Sequence, residues 1–272
     1  MKLLVVGAGA VGRWFAGVVA DDGELGEVDL AFADVEASAA GMAARTVGGR
    51  AVGLDGEGRA DDWSDDEQFD AVVVAVPLPA TAKAIATHAD RAERAVLDLS
   101  GAMAAPVAAM AEHAPDRERV SLHPLFAPEN APGRVAVVAA NPGPVTDGLR
   151  SSLAAAGNEL FETTPEAHDR AMETVQAKAH AALLAFALAA DAVDPSFGTP
   201  VYDRLVDLVA EVTGGEPRVY GDIQATFDGA DAVAEAAREI AAADPGTVER
   251  LFRDAGDRLG ARDHPDDRDA GA

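Results

Sequence analysis

Lys2-Leu3-Leu4-Val5-Val6-Gly7-Ala8-Gly9-Ala10-Val11-Gly12 stands at the start of the sequence. An apolar run this short, ended by glycines, reads as a buried strand feeding a tight turn. The Gly7-x-Gly9-x-x-Gly12 spacing then opens a helix that extends to about Ala20. Gly7 permits the turn, Gly9 lets a pyrophosphate approach the backbone, and Gly12 lets helix and strand pack closely. The helix start at Ala10 and Val11 offers N–H groups and a positive dipole end to phosphates. A second strand at 28–33 ends in Asp34, 22 residues after Gly12. A carboxylate there accepts the ribose hydroxyls of NAD and repels the 2′-phosphate of NADP. No lysine or arginine adjoins it, so NAD is the expected cofactor. Asp34 can also cap the following helix, and the two roles are compatible.

The same alternation continues outward. Residues 36–45 read as a helix and 46–58 as a strand with turns. The β-branched run at 71–76 reads as a buried parallel strand, broken by Pro77-Leu78-Pro79. The turn at Val76 and Pro77 is expected to pass over the cofactor at the topological switch point. A helix at 80–89, a strand at 95–99 and a helix at 104–113 follow, then strands at 120–122, 135–139 and 159–162. This is the pattern of an α/β, doubly wound Rossmann domain. After Thr164 the strand signal stops. One alanine- and leucine-rich helical run at 165–192 leads to helices at 201–212, 217–227, 230–243 and 246–259. The expected organisation is an NAD-binding domain at 1–164, an all-helical substrate and dimerisation domain at 165–262, and a disordered acidic tail at 263–272.

Net charge is −25 over 272 residues, which argues against nucleic acid as a partner. The only lysines are Lys2, Lys83 and Lys178. Acidic clusters at 61–62 and 65–67 fall in expected loops. An acidic surface poor in lysine suits a protein of molar salt, where self-repulsion is screened. With no cysteine, disulfides and thiolate metal sites are excluded and a reducing cytoplasm is expected. No apolar run reaches the roughly 18 residues of a membrane span, and Met1-Lys2 lacks the basic region of a signal peptide.

Two segments carry candidate chemistry. His123-Pro124-Leu125-Phe126-Ala127-Pro128-Glu129 follows the short strand at 120–122, so a rigid turn would hold His123 at a strand end, a good place for an acid or base. In the first helix of the second half, Met172, Gln176 and His180 are four apart and share a face, with Asp169 beside them. A glutamine and a histidine on an apolar stripe are costly to bury unless something polar meets them.

Together these pieces resemble the prephenate dehydrogenase family of tyrosine biosynthesis, in a short single-function form of haloarchaeal type. The resemblance rests on Gly7 to Gly12, Val96-Leu97-Asp98-Leu99-Ser100, His123-Pro124-Leu125-Phe126, and the helix from His168-Asp169 through Met172 and Gln176-Ala177 to His180. Thr199-Pro200-Val201-Tyr202 and Tyr220-x-Asp222-Ile223-Gln224 follow in family order. It implies oxidation of prephenate by NAD, with loss of CO2, to 4-hydroxyphenylpyruvate, without a metal. His123 would take the proton of the ring hydroxyl as hydride leaves. Ser100 would bond the same hydroxyl or His123. Glu129 would gate the pocket, and Gln176 and His180 would line it. The family's substrate-binding arginine follows its Ser/Thr-Pro-x-Tyr element directly. Here Asp203 stands there and Arg204 comes one place later, ahead of Arg134, Arg170 and Lys178 as the cation for the substrate carboxylates. Ala102 and Met103 stand where the family often has a lysine. Arogenate is an alternative substrate. The opening also looks like ketopantoate reductase, but no asparagine follows on the long helix. A non-catalytic NAD-binding paralogue is a further alternative. The long alanine-rich helix implies close packing across a homodimer interface.

Overall fold

The computed structural model describes residues 1–55, 57–58 and 67–259. The acidic clusters at 61–62 and 65–66 and the tail expected at 263–272 lie outside the described residues. Eight strands form one sheet: β1 (Lys2–Val6), β2 (Asp29–Asp34), β3 (Arg50–Gly53), β4 (Phe69–Val74), β5 (Ala92–Asp98), β6 (Glu118–Pro124), β7 (Arg134–Asn141) and β8 (Glu159–Glu162). Their order is β3-β2-β1-β4-β5-β6-β7-β8. All neighbours are parallel except β6 and β7. The chain reverses direction across the sheet between β1 and β4, which makes the crevice above them the ligand position of such folds.

Helices α1 (Ala10–Ala20), α2 (Ala37–Val47), α3 (Thr81–His88), α4 (Ala104–His113) and α5 (Pro144–Ala155) connect the strands. Each face of the sheet carries its own core. Leu3, Val5, Phe15, Phe32, Val73 and Leu122 lie in one, and Leu4, Val72, Val74, Ile85 and Met110 in the other. Burial on both faces is why β1 and β4 read as unbroken apolar runs. Thr164 then caps α6 (Pro165–Met172) by accepting a hydrogen bond from the Ala167 amide, with Pro165 at the first helical position. Thr199 and Pro200 start α8 (Pro200–Thr213) in the same way. Hydroxyl cap plus proline is a strong start signal, since proline has no amide to leave unpaired.

Two expectations need correction. His123 does not follow a strand that ends at 122. β6 runs on to Pro124 because antiparallel β7 continues the ladder, pairing His123 with Ala136 and Pro124 with Val135. The run at 165–192 is not one α-helix either. A π-helical stretch, Glu173–Lys178, separates α6 from α7 (Ala179–Ala189). The side chain of Gln224, on α9 (Pro217–Thr226), donates to the Ala177 carbonyl at 2.8 Å and satisfies an acceptor in the wide turn. The remaining described helices are α10 (Ala230–Ala242) and α11 (Pro245–Leu259). Among the described residues no helix is long and apolar enough to cross a membrane.

Candidate active site

The glycine turn after β1 is tightly built. A Cβ on Gly7, whose φ is +99°, would stand 2.3 Å from the Ala75 carbonyl oxygen. One on Gly12 would stand 2.1 Å from the Gly7 carbonyl oxygen. At Gly9 a Cβ would meet nothing within 4 Å, so that side of the turn is open. No side chain caps the start of α1, which leaves its first amides, at Ala10 and Val11, available to an anion. Asp34 accepts from the Ala8 amide at 2.7 Å with one carboxylate oxygen and from Glu36 at 2.9 Å with the other. Its carboxylate therefore sits against the glycine turn, with lone pairs left for hydroxyl donors. Val76 also borders Gly7, and Pro77 leads into the short turn Leu78–Ala80. These residues fit a dinucleotide with a free ribose.

His123 lies at the same edge of the sheet. A Cβ on Gly101 would be 3.5 Å from its Nε2 and 3.8 Å from Leu78. The ring is buried and its Nδ1 is 2.9 Å from Nε2 of His168, on α6. Nδ1 of His168 is 2.8 Å from Oδ1 of Asp169. The Asp169 carboxylate accepts in turn from the Met103 amide at 2.9 Å and the Ala104 amide at 3.0 Å, at the start of α4. Burial pushes His123 down to about 3, helped by His168 and opposed by Asp169, so it is neutral near pH 7. Burial would raise the Asp169 carboxyl, but the bonds from His168, Met103 and Ala104 outweigh it and hold it below its usual value.

Ser100 is buried one residue before Gly101. Its hydroxyl is 2.6 Å from Oδ1 of Asp98 and 2.8 Å from the Ala102 carbonyl, and it makes no hydrogen bond to His123. Burial pushes the Asp98 carboxyl up to about 7, with the Ser100 and Ser121 hydroxyls and the Ser100 amide acting against it. On the helical side, Oε1 of Gln176 and Nδ1 of His180 are buried with no partner. The His180 ring meets Tyr220 of α9 edge-on at 4.8 Å. Burial lowers its pKa as well. Ala102, Met172, Ala177, Ile223 and Phe227, with Leu78 and Leu125, form a small apolar cluster that joins the sheet edge to the helices.

Two sequence candidates are exposed. Glu129 is exposed in the turn Pro128–Asn130, on the loop that Phe126 fixes to Trp14 of α1 at 5.3 Å. Arg204 is exposed on α8, which packs on α7. Arg134 pairs with Glu159 at the surface. Arg170 is exposed and Lys178 is partly buried.

A family model described as "Prephenate dehydrogenase, nucleotide-binding domain" matches residues 42–140. A 4-amino-4-deoxyprephenate dehydrogenase of Streptomyces pristinaespiralis is 32% identical over 244 residues, covering 86% of this chain and 80% of the relative. The chain belongs to the prephenate dehydrogenase family. Its fold agrees: the prephenate dehydrogenase of Aquifex aeolicus, solved with hydroxyphenyl propionate and NAD+, superimposes with a TM-score of 0.67 at 15% identity, covering 95% of this chain and 97% of that one. Synechocystis arogenate dehydrogenase gives a TM-score of 0.56 at 18% identity, covering 95% and 99%. Family membership replaces the ketopantoate reductase alternative.

His168, Asp169 and Asp98 carry no site role in the sequence reading of this family member. A signal was present, since His168-Asp169 falls in the first turn of a helix announced by Thr164-Pro165. The pair lies one turn before the apolar stripe that starts at Met172.

Proposed function

We propose that this chain oxidises prephenate to 4-hydroxyphenylpyruvate with loss of CO2, using NAD. The observation that carries this reading is a buried, neutral imidazole whose Nε2 lies by Gly101, at the same sheet edge as a built dinucleotide turn. When bound, NAD would supply the acceptor for the hydride on the ring carbon that bears the hydroxyl. His123 Nε2 accepts the hydroxyl proton as that carbon becomes a carbonyl. Departure of CO2 restores the aromatic ring, and the proton returns to the oxygen, so no net proton is released. The two substrate carboxylates raise the basicity of His123 while they are bound. Gly7, Gly9, Gly12 and the amides of Ala10 and Val11 hold the pyrophosphate, Asp34 the ribose, and Val76 and Pro77 border the cofactor. Ser100 acts from beside Gly101. Gln176 and His180, with unpartnered polar atoms, line the substrate pocket. Arg204 binds a substrate carboxylate, and Glu129 gates the entrance.

Residues 1–164 act as the nucleotide-binding unit and 165–262 as the substrate and dimerisation unit. The enzyme is a homodimer of a salt-rich cytoplasm. The relative from Streptomyces pristinaespiralis is a 4-amino-4-deoxyprephenate dehydrogenase, whose substrate carries an amino group in place of the ring hydroxyl, which favours that amine as the second reading.

One assay series tests these readings. NADH formation is followed with prephenate, 4-amino-4-deoxyprephenate and arogenate, with NAD and NADP, in molar and low salt. The highest kcat/KM is expected for prephenate with NAD in molar salt. Faster turnover of an amino substrate would establish the second reading. H123N should lower kcat by about 10² to 10⁴ while leaving NAD affinity within about twofold. An unchanged rate would remove His123 as the base.

A further inference from the structure

Asp169, His168 and His123 form a chain of buried hydrogen bonds in which the donor of each link can be assigned. An ionised carboxylate only accepts. Asp169 already accepts from two backbone amides, so Nδ1 of His168 donates to it. With His168 uncharged in the resting chain, its Nε2 holds a lone pair and Nδ1 of His123 donates across the 2.9 Å contact. Neutral His123 is left with its lone pair on Nε2, the atom that lies by Gly101.

We propose that His168 and Asp169 are positioning residues that fix His123 in the Nδ1–H tautomer and share the charge when Nε2 takes a proton. This deepens the reading of His123 as the base and rests on it. A lone imidazolium in so buried a place would be costly. The relay avoids it: as Nε2 of His123 gains a proton, its Nδ1 proton moves to Nε2 of His168. The positive charge then lies 2.8 Å from the Asp169 carboxylate. Return of the substrate proton reverses both moves, so nothing is consumed. The groups that act electrostatically on His123 are His168 and Asp169, and Asp169 acts in turn on Asp98 of β5.

The direct test is 15N NMR of the histidine side chains in the whole protein. The expected signature is an unprotonated Nε2 and a protonated Nδ1 on His123 at neutral pH. The opposite tautomer overturns the proposal whether or not prephenate is turned over. Absence of turnover with the expected tautomer would instead count against the proposed reaction alone.

Kinetics supply a second arm. D169N keeps the side-chain shape but can satisfy only part of the donor set, so kcat should fall by about 10² to 10³, with KM for NAD within about twofold. Its acid limb should move to lower pH than that of the wild type, because the carboxylate that raises His123 is gone. A wild-type pH profile in D169N overturns the relay. Because Asp169 also caps α4, a pair at 168 guards against misfolding. The amide oxygen of H168Q can accept from His123, so this variant should retain activity within about tenfold, whereas H168L should lose about 10² or more. Equal losses in the two would leave His168 with packing alone and overturn the proposal.

Discussion

The sheet and the last hundred residues treat apolar side chains in opposite ways. Leu3, Leu4 and Val5 of β1 and Val72, Val73 and Val74 of β4 are wholly buried. In α7, α8 and α10 no residue is buried. The α7 sequence, AHAALLAFALA, is apolar almost all round, yet Leu188 is 89% exposed. A helix of that composition is stable when covered on most sides. The contrast teaches that the sheet half closes its core within one chain and the helical half does not. A second copy is the covering surface we infer. The largest effects should fall on the sheet side: Phe15→Ala should cost about 3–5 kcal/mol of stability, measured by denaturant in molar salt. Leu188→Asp should leave the sheet folded but convert a dimer to a monomer in light scattering. A wild-type monomer would break the comparison, since the exposed helices would then be stable uncovered.

Polar groups divide in the same direction. The buried polar residues include His88, Asp98, Ser121, His123 and His168, and none follows position 168 among the described residues. Asp98 is the sharpest probe, because it is fully buried and the Ser121 hydroxyl on the adjoining strand only partly offsets the cost of that burial. Its folded pKa is raised from 3.8 to about 7. A raised carboxyl keeps its proton in the folded chain while the unfolded chain ionises. The folded state is therefore penalised progressively as pH rises from about 3.8 to 7, and by a constant amount above that. The penalty is at most about 4 kcal/mol, and less if the site relaxes or admits water. Asp98→Asn does not titrate there, so its stability relative to wild type should improve across that window. Parallel stability curves at pH 4, 6 and 8 would show that Asp98 stays ionised and solvated by means other than protein groups.

How far the sequence could be read follows from the range of the forces involved. β1, β4 and the Thr-Pro helix starts were legible, since two-sided burial gives unbroken apolar runs and capping acts within three residues. Pairing was less so. The strand of His123 extends past its apolar part because β7, more than ten residues later, supplies partners for His123 and Pro124. The π stretch was not legible at all. Its wide turn places an acceptor at Ala177 that Gln224 reaches, and nothing local to 173–178 announces that partner. The His168–Asp169 pair was visible as residues but not as a relay, because the imidazole it meets is 45 positions away in sequence.

The smallest effect belongs to the sheet's cofactor edge, at Asp34. Both of its oxygens already accept backbone amides, from Ala8 and Glu36, so it braces the glycine turn as well as facing the ribose site. In Asp34→Asn one oxygen becomes an NH2 group, which must confront one of those amides. The bracing bond and the charge both weaken. A charge-assisted hydrogen bond is worth about 1.5–3 kcal/mol, but water at this partly exposed site compensates for much of it. KM for NAD should rise about tenfold, equivalent to ~1.4 kcal/mol, with kcat nearly unchanged. The preference for NAD over NADP should narrow at the same time, because the carboxylate that repels a 2′-phosphate is gone. A tenfold loss of kcat with KM unmoved would place Asp34 outside cofactor binding and shift its role to the turn alone.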